Sequence, residues 1–115
     1  MPKLFDDKEL LERVDNDWEF LSETVQMLET DGRALMVELK AAVASGDAPA
    51  IGRTAHTLKG MISNFCAPAV QTLASDVEKA GKAGDCAGAA AASAKLEPAL
   101  EALIVELVAF VRARS

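Results

Sequence analysis

The side chains able to carry chemistry in this 115-residue chain are few: one histidine, His56, and two cysteines, Cys66 and Cys86. The di-iron pattern of helical bundles sets a glutamate three residues before a ligand histidine, and position 53 is an arginine. Neither cysteine belongs to a CxxC pair, and one histidine with two distant cysteines does not resemble a zinc site, so no metal site is expected. No glycine loop is placed to cradle a phosphate, because the glycines fall within or at the ends of helices. Triads with a second histidine are excluded, whereas a Cys–His pair brought together by the fold stays open. Beyond these stands a lone imidazole, which on position alone is more often an ordinary surface residue than a functional one.

That ring stands in RTAHTLKGMISNF, residues 53–65. Ile51, Ala55, Leu58, Ile62 and Phe65 recur at helical period and form one apolar stripe. His56 lies roughly 130° from the centre of that stripe at 100° per residue, and therefore faces solvent. Around it the wheel sets small residues, Gly52, Gly60, Ser63 and Ala67, with Lys59 at one edge and Arg53 and Asn64 at the other. Each glycine costs a helix interior about 1 kcal/mol against alanine. Bare backbone one turn to either side of an imidazole would let another molecule approach it. A tight helix–helix crossing at Gly60 is the competing explanation.

The elements that must hold this helix are helices too. Half the residues (50%) are hydrophobic and only 4% aromatic, so the core rests on Leu, Val, Ile and Ala. Asp6 or Asp7 caps a short first helix through Val14, with Leu10, Leu11 and Val14 packing as a lid. A second begins near Asn16 or Asp17 with Trp18, Leu21, Val25 and Leu28 on one face, and TDG at 30–32 predicts a break or kink. A third carries Leu35, Leu39, Ala42 and Val43 to SGD, where Gly46 suits a left-handed end and Asp47 the next cap. Pro49 and Pro68 fit the first turns of the two following helices. Val70, Leu73, Val77 and Ala80 line the second of these until KAGD at 82–85. The last helix runs toward Arg114 with Leu96, Leu100, Leu103, Leu107 and Phe110 inward, and Pro98 predicts a kink or short break. Short connections make successive helices antiparallel. The expected fold is all-α: one domain, residues 1–115, an up-and-down four-helix bundle with a short extra N-terminal helix.

The net charge of −6 and a pI near 4.7 argue against nucleic acid or anionic membranes as partners. MPKLFDD has no signal pattern, and ALIVELVAFV is far short of the ~20 residues a span requires. A soluble cytoplasmic chain with reduced thiols, monomeric in the simplest case, is the expectation.

At AHTLKG, residues 55–60, the sequence resembles the histidine-containing phosphotransfer (HPt) domains of bacterial phosphorelays. The SGD turn before it, the small Cys66 and Ala67 after Phe65, the following LASDVEKAGKAGD and the opening FDDKELLERVDNDWEFLSETV all fit the same family. Ser63 and Cys66 stand where many relatives carry glycine, and Met61 where many carry a small residue. The resemblance implies that His56 is the phosphoacceptor, Lys59 the cation offsetting phosphate charge, and Gly60 the gap that admits a partner. Gly52, Arg53, Ser63 and Asn64 complete the implied docking surface for receiver domains of response regulators or hybrid kinases. The family members are phosphocarriers without kinase activity, needing no cofactor of their own; Mg²⁺ is expected on the partner receiver. The alternative is a non-catalytic helical adaptor that binds a receiver or kinase domain without transfer.

Overall fold

The computed structural model describes residues 4–114, the side chain of Arg114 excepted. Its elements are α1 (Asp7–Arg13), α2 (Trp18–Met27), a π-helical segment (Leu28–Gly32), α3 (Arg33–Ser45), α4 (Ala48–Ile62), a 3₁₀ turn (Ser63–Phe65), α5 (Pro68–Lys82) and α6 (Cys86–Arg114). Each start has a local cause. Asp6, Asp17, Asp47 and Asp85 accept from the backbone N–H three residues on, at 2.9–3.2 Å. Pro49 and Pro68 sit in first turns, and Gly46 ends α3 at φ 69°.

At the two places where a break or kink is expected the chain does not break. At TDG the chain stays helical, with Gly32 at φ −63° and ψ −42°, and takes up one residue too many as a π segment. α2 and α3 are therefore continuous through the π segment and count as one helix of the bundle, with α4, α5 and α6 as the other three. Likewise α6 runs unbroken through Pro98 for 29 residues. At 1.5 Å per residue that is about 43 Å, the 43 Å long axis of the molecule.

The core is aliphatic as expected. Leu21, Val25 and Leu28, Leu39 and Ala42, Ile51, Ala55, Leu58, Ile62 and Phe65, and Leu96, Leu100, Leu103, Ile104 and Leu107 are buried in one core. Phe110 packs against Trp18 with ring centroids 5.1 Å apart and planes tilted by 43°, and meets Phe5 edge-on at 5.3 Å. One stripe differs from expectation. In α5 the buried positions are Val70, Ala74, Val77, Glu78 and Gly81, while Leu73 and Ala80 are half-buried. The helix is turned so that Glu78 faces inward, and the site depends on this turn.

Among the described residues, no helix is long and apolar enough to cross a membrane.

Candidate functional site around His56

α4 buries Ile51, Ala55, Leu58 and Ile62 completely, which forces His56, between two of them in sequence, to the opposite side. Its side chain is 67% exposed. The ring is nevertheless fixed, because Nδ1 lies 2.8 Å from Oε2 of Glu78, whose side chain is only 4% exposed.

Glu78 is a hub. Its Oε1 accepts from Lys59 Nζ at 2.6 Å, and Oε2 accepts from Lys82 Nζ at 2.8 Å as well as from the imidazole. A lone buried carboxylate would be driven toward its neutral form. Here Lys59 first, then Lys82, outweigh burial and lower its pKa from the ordinary 4.5 to about 2, with the His56 hydrogen bond adding to the effect. An ionised carboxylate only accepts, so Nδ1 must carry the hydrogen. In the neutral ring the tautomer is thereby set: Nδ1–H points inward and the Nε2 lone pair points out. Nε2 has no hydrogen-bond partner among the described residues.

Gly81, packed on the backbone of Gly52, brings the carboxylate within reach. A Cβ on Gly81 would lie 2.7 Å from the Gly52 backbone nitrogen and 2.9 Å from Ile51 Cγ2, so α4 and α5 cross at a distance no larger residue allows. Gly52 is buried in this crossing, not set on an open face as the helical wheel has it. It closes the floor of a groove of about 640 Å³ that ends at His56 and Glu78.

The other residues implied for the site fall into two groups. Gly60 is open, with nothing within 4 Å of an added Cβ, and Arg53 and Asn64 are exposed. Lys59 is half-buried and turned to Glu78. Ser63 is half-buried and its hydroxyl donates to the Gly60 carbonyl at 2.6 Å, so its proton is already spent within the helix end. Arg13 of α1 donates to the Ser63 carbonyl at 2.8 Å, satisfying a group that the end of α4 leaves free. Ala67 is buried, because the 3₁₀ turn takes it off the wheel. Cys66 is buried, with its thiol pKa raised chiefly by burial, at φ 54° in the left-handed region where glycine is usual. It stands 20 positions before Cys86 in the chain, and both thiols are free. Among the described residues, no group of three His, Cys, Asp or Glu could hold a metal ion.

Glu78 and Lys82 are the functional candidates that the sequence reading missed. A signal existed: Glu78 is four residues after Ala74 and three before Gly81, on the stripe the helix buries. Running the stripe from Val70 and Val77 through Leu73 and Ala80, instead of Ala74 and Gly81, left Glu78 off the inner face.

Comparison with known proteins accords with this geometry. A family model for the Hpt domain matches residues 23–110. The crystal structure of histidine-containing phosphotransfer protein B (HptB) from Pseudomonas aeruginosa PAO1 is similar, with a TM-score of 0.87 at 22% identity over 95% of each chain. At that identity the likeness is one of fold. A comparison with curated proteins gives no match.

Proposed function

The chain belongs to the Hpt domain family, and on that premise we propose that it is a phosphorelay intermediate whose His56 takes a phosphoryl group from one receiver domain and gives it to another. The observation that carries the reading is the exposed imidazole tethered by Nδ1 to a buried, ionised Glu78. Nε2 is then the nucleophile. Its lone pair attacks the phosphorus of an aspartyl phosphate, the P–O bond to the acyl group breaks, and that electron pair stays on the receiver's carboxylate. The positive charge appearing on the ring is shared with Nδ1–H, where Glu78 faces it. Passing the group on reverses these steps on a second carboxylate.

Phosphoryl transfer of this kind needs position and charge more than covalent apparatus. In this reading the receiver, acting in the cytoplasm, supplies Mg²⁺, and the chain is a carrier without catalysis of its own. Lys59 stands one turn from His56 and offsets charge on the equatorial oxygens once the phosphoryl group arrives. Gly60, open and without a packing reason of its own, leaves room for the partner's backbone.

The test is transfer from a phosphorylated receiver domain to the wild type and to His56→Gln, followed by acid and alkali treatment of the labelled protein. Label on the wild type only, lost in acid and kept in base, is expected of phosphohistidine. Equal labelling of His56→Gln, or an alkali-labile bond, would overturn the assignment. A folded wild type that binds receivers and takes no label would favour the adaptor.

A further inference from the structure

The imidazole occupies only one end of the groove along the α4–α5 seam, which continues from His56 and Glu78 to Ala48 and Gly84. Its floor is nearly bare backbone, because Gly52 and Gly81 meet there. Arg53 and Lys82 stand on the rims. Lys82 is engaged by Glu78, whereas Arg53 is exposed and has no ion pair among the described residues.

The surroundings share the sign of these rims. From Ala48 to Ser75 the chain has no aspartate or glutamate. Residues 48–84 hold four Lys/Arg against two acids, a net +2, while residues 1–47 hold five against twelve, a net −7, in a chain of −6. The groove is the basic part of an acidic molecule, and such a field steers an acidic partner to one side of it.

The two glycines of the floor differ in what holds them there. Gly81 is dictated by packing. At Gly52, by contrast, a Cβ would meet Lys82 Cγ at 3.7 Å, Lys82 N at 3.8 Å and Gly81 C at 4.0 Å, all ordinary contacts. The fold would accept alanine at position 52, and a helix interior prefers it. The glycine leaves the groove empty at a cost to the helix, which makes sense if something else fills it.

We infer that this groove seats an apolar side chain of the docking receiver domain, beside a carboxylate of the receiver that pairs with Arg53. The inference rests on the phosphorelay reading and adds to it where the partner is gripped: on the N-terminal side of His56, by a pocketed anchor with a charged rim. The anchor holds the complex together, and the rim pair governs encounter rate and choice of partner.

The experiment offers a panel of purified, phosphorylated receiver domains from the same genome to the wild type, Gly52→Ala, Gly52→Leu, Arg53→Glu and, as a baseline, Val37→Ala on distant α3. KM and kcat for transfer are read, together with labelling by phosphoramidate, a donor too small to dock. Filling the groove with leucine should raise KM about tenfold while kcat stays within about twofold, alanine giving a smaller rise of the same kind. Arg53→Glu should raise KM about tenfold at low salt, a gap that narrows as salt screens it. The ratio of receiver-driven to phosphoramidate-driven labelling should fall in all three. Unchanged KM in Gly52→Ala and Arg53→Glu, both expected to fold, would overturn the inference and leave the phosphorelay reading intact. So would a parallel fall in phosphoramidate labelling, which would mean damage to the imidazole site. A wild type that no receiver labels overturns both.

Discussion

Two seams of the bundle treat charge in opposite ways. Between α3 and α6, Arg33 pairs with Glu101 and Lys40 with Glu97, all with side chains at least 45% exposed. Between α4 and α5, three cationic or polar heads converge on one carboxylate that is 4% exposed. Exposed pairs at the first seam give up little water and gain little. The buried carboxylate at the second is tolerable only with its partners in place, since stripping one leaves charge uncompensated in a dry setting. The difference teaches where selection for something other than stability is to be sought. A bundle can be held by leucines; it does not need Glu78, and it needs the Gly52–Gly81 crossing only because Glu78 and His56 must meet.

The largest effect expected from breaking this contrast is at Gly81. Gly81→Ala drives a methyl into the α4 backbone and should cost about 2–3 kcal/mol, read by chemical denaturation. The same substitution at Gly60 has open space to enter.

Next is Glu78→Gln. The amide still accepts from Nδ1–H but brings no charge to the ring, and transfer should slow on the order of tenfold while the far-ultraviolet spectrum is unchanged. Its stability should depend on pH in a defined window. The folded pKa of Glu78 is depressed, so its ionised form adds stability that is fully present above about 4.5 and is lost as pH falls toward about 2. The stability gap between wild type and Glu78→Gln should therefore close over that interval. A gap that persists at pH 2 would show that the ion cluster is not its source.

How far the sequence disclosed this contrast depends on the element. The stripe of α4 was legible because five apolar residues at one phase leave no second choice, and it put His56 outside correctly. The caps at Asp17 and Asp47 were legible because they are local chemistry. α5 was not, since Leu73–Ala74 and Ala80–Gly81 give two apolar phases and only packing against Gly52 decides between them. Glu78 was hidden by that ambiguity: a charged residue is assigned to solvent unless partners from another helix are known. TDG did not end the helix, because glycine weakens a helix without ending one that is buried along its inner face, and the irregularity there is a π segment. Pro98 did not break α6, its lost hydrogen bond being a local cost inside a helix packed along its length.

A smaller change is expected at Gly60. Gly60→Ala should stabilise the fold by up to about 1 kcal/mol through helix propensity, and slow transfer from a receiver severalfold by crowding the approach to the ring. Greater stability with undiminished transfer would return Gly60 to the status of an unremarkable surface residue. Smallest of all, Arg33→Ala and Glu101→Ala, alone or together, should leave the melting temperature within experimental error at physiological salt, with transfer unaffected.

The central claim is that Glu78 holds Nδ1 so that Nε2 carries the phosphoryl group. It is tested most directly by ³¹P and ¹⁵N nuclear magnetic resonance of the phosphorylated chain with labelled histidine, which distinguishes the two ring nitrogens at the single histidine present. Phosphorus bonded to Nε2, with Nδ1 still bearing its hydrogen, is the predicted result. Phosphorus on Nδ1, or an imidazole unchanged while label sits elsewhere, would contradict the account.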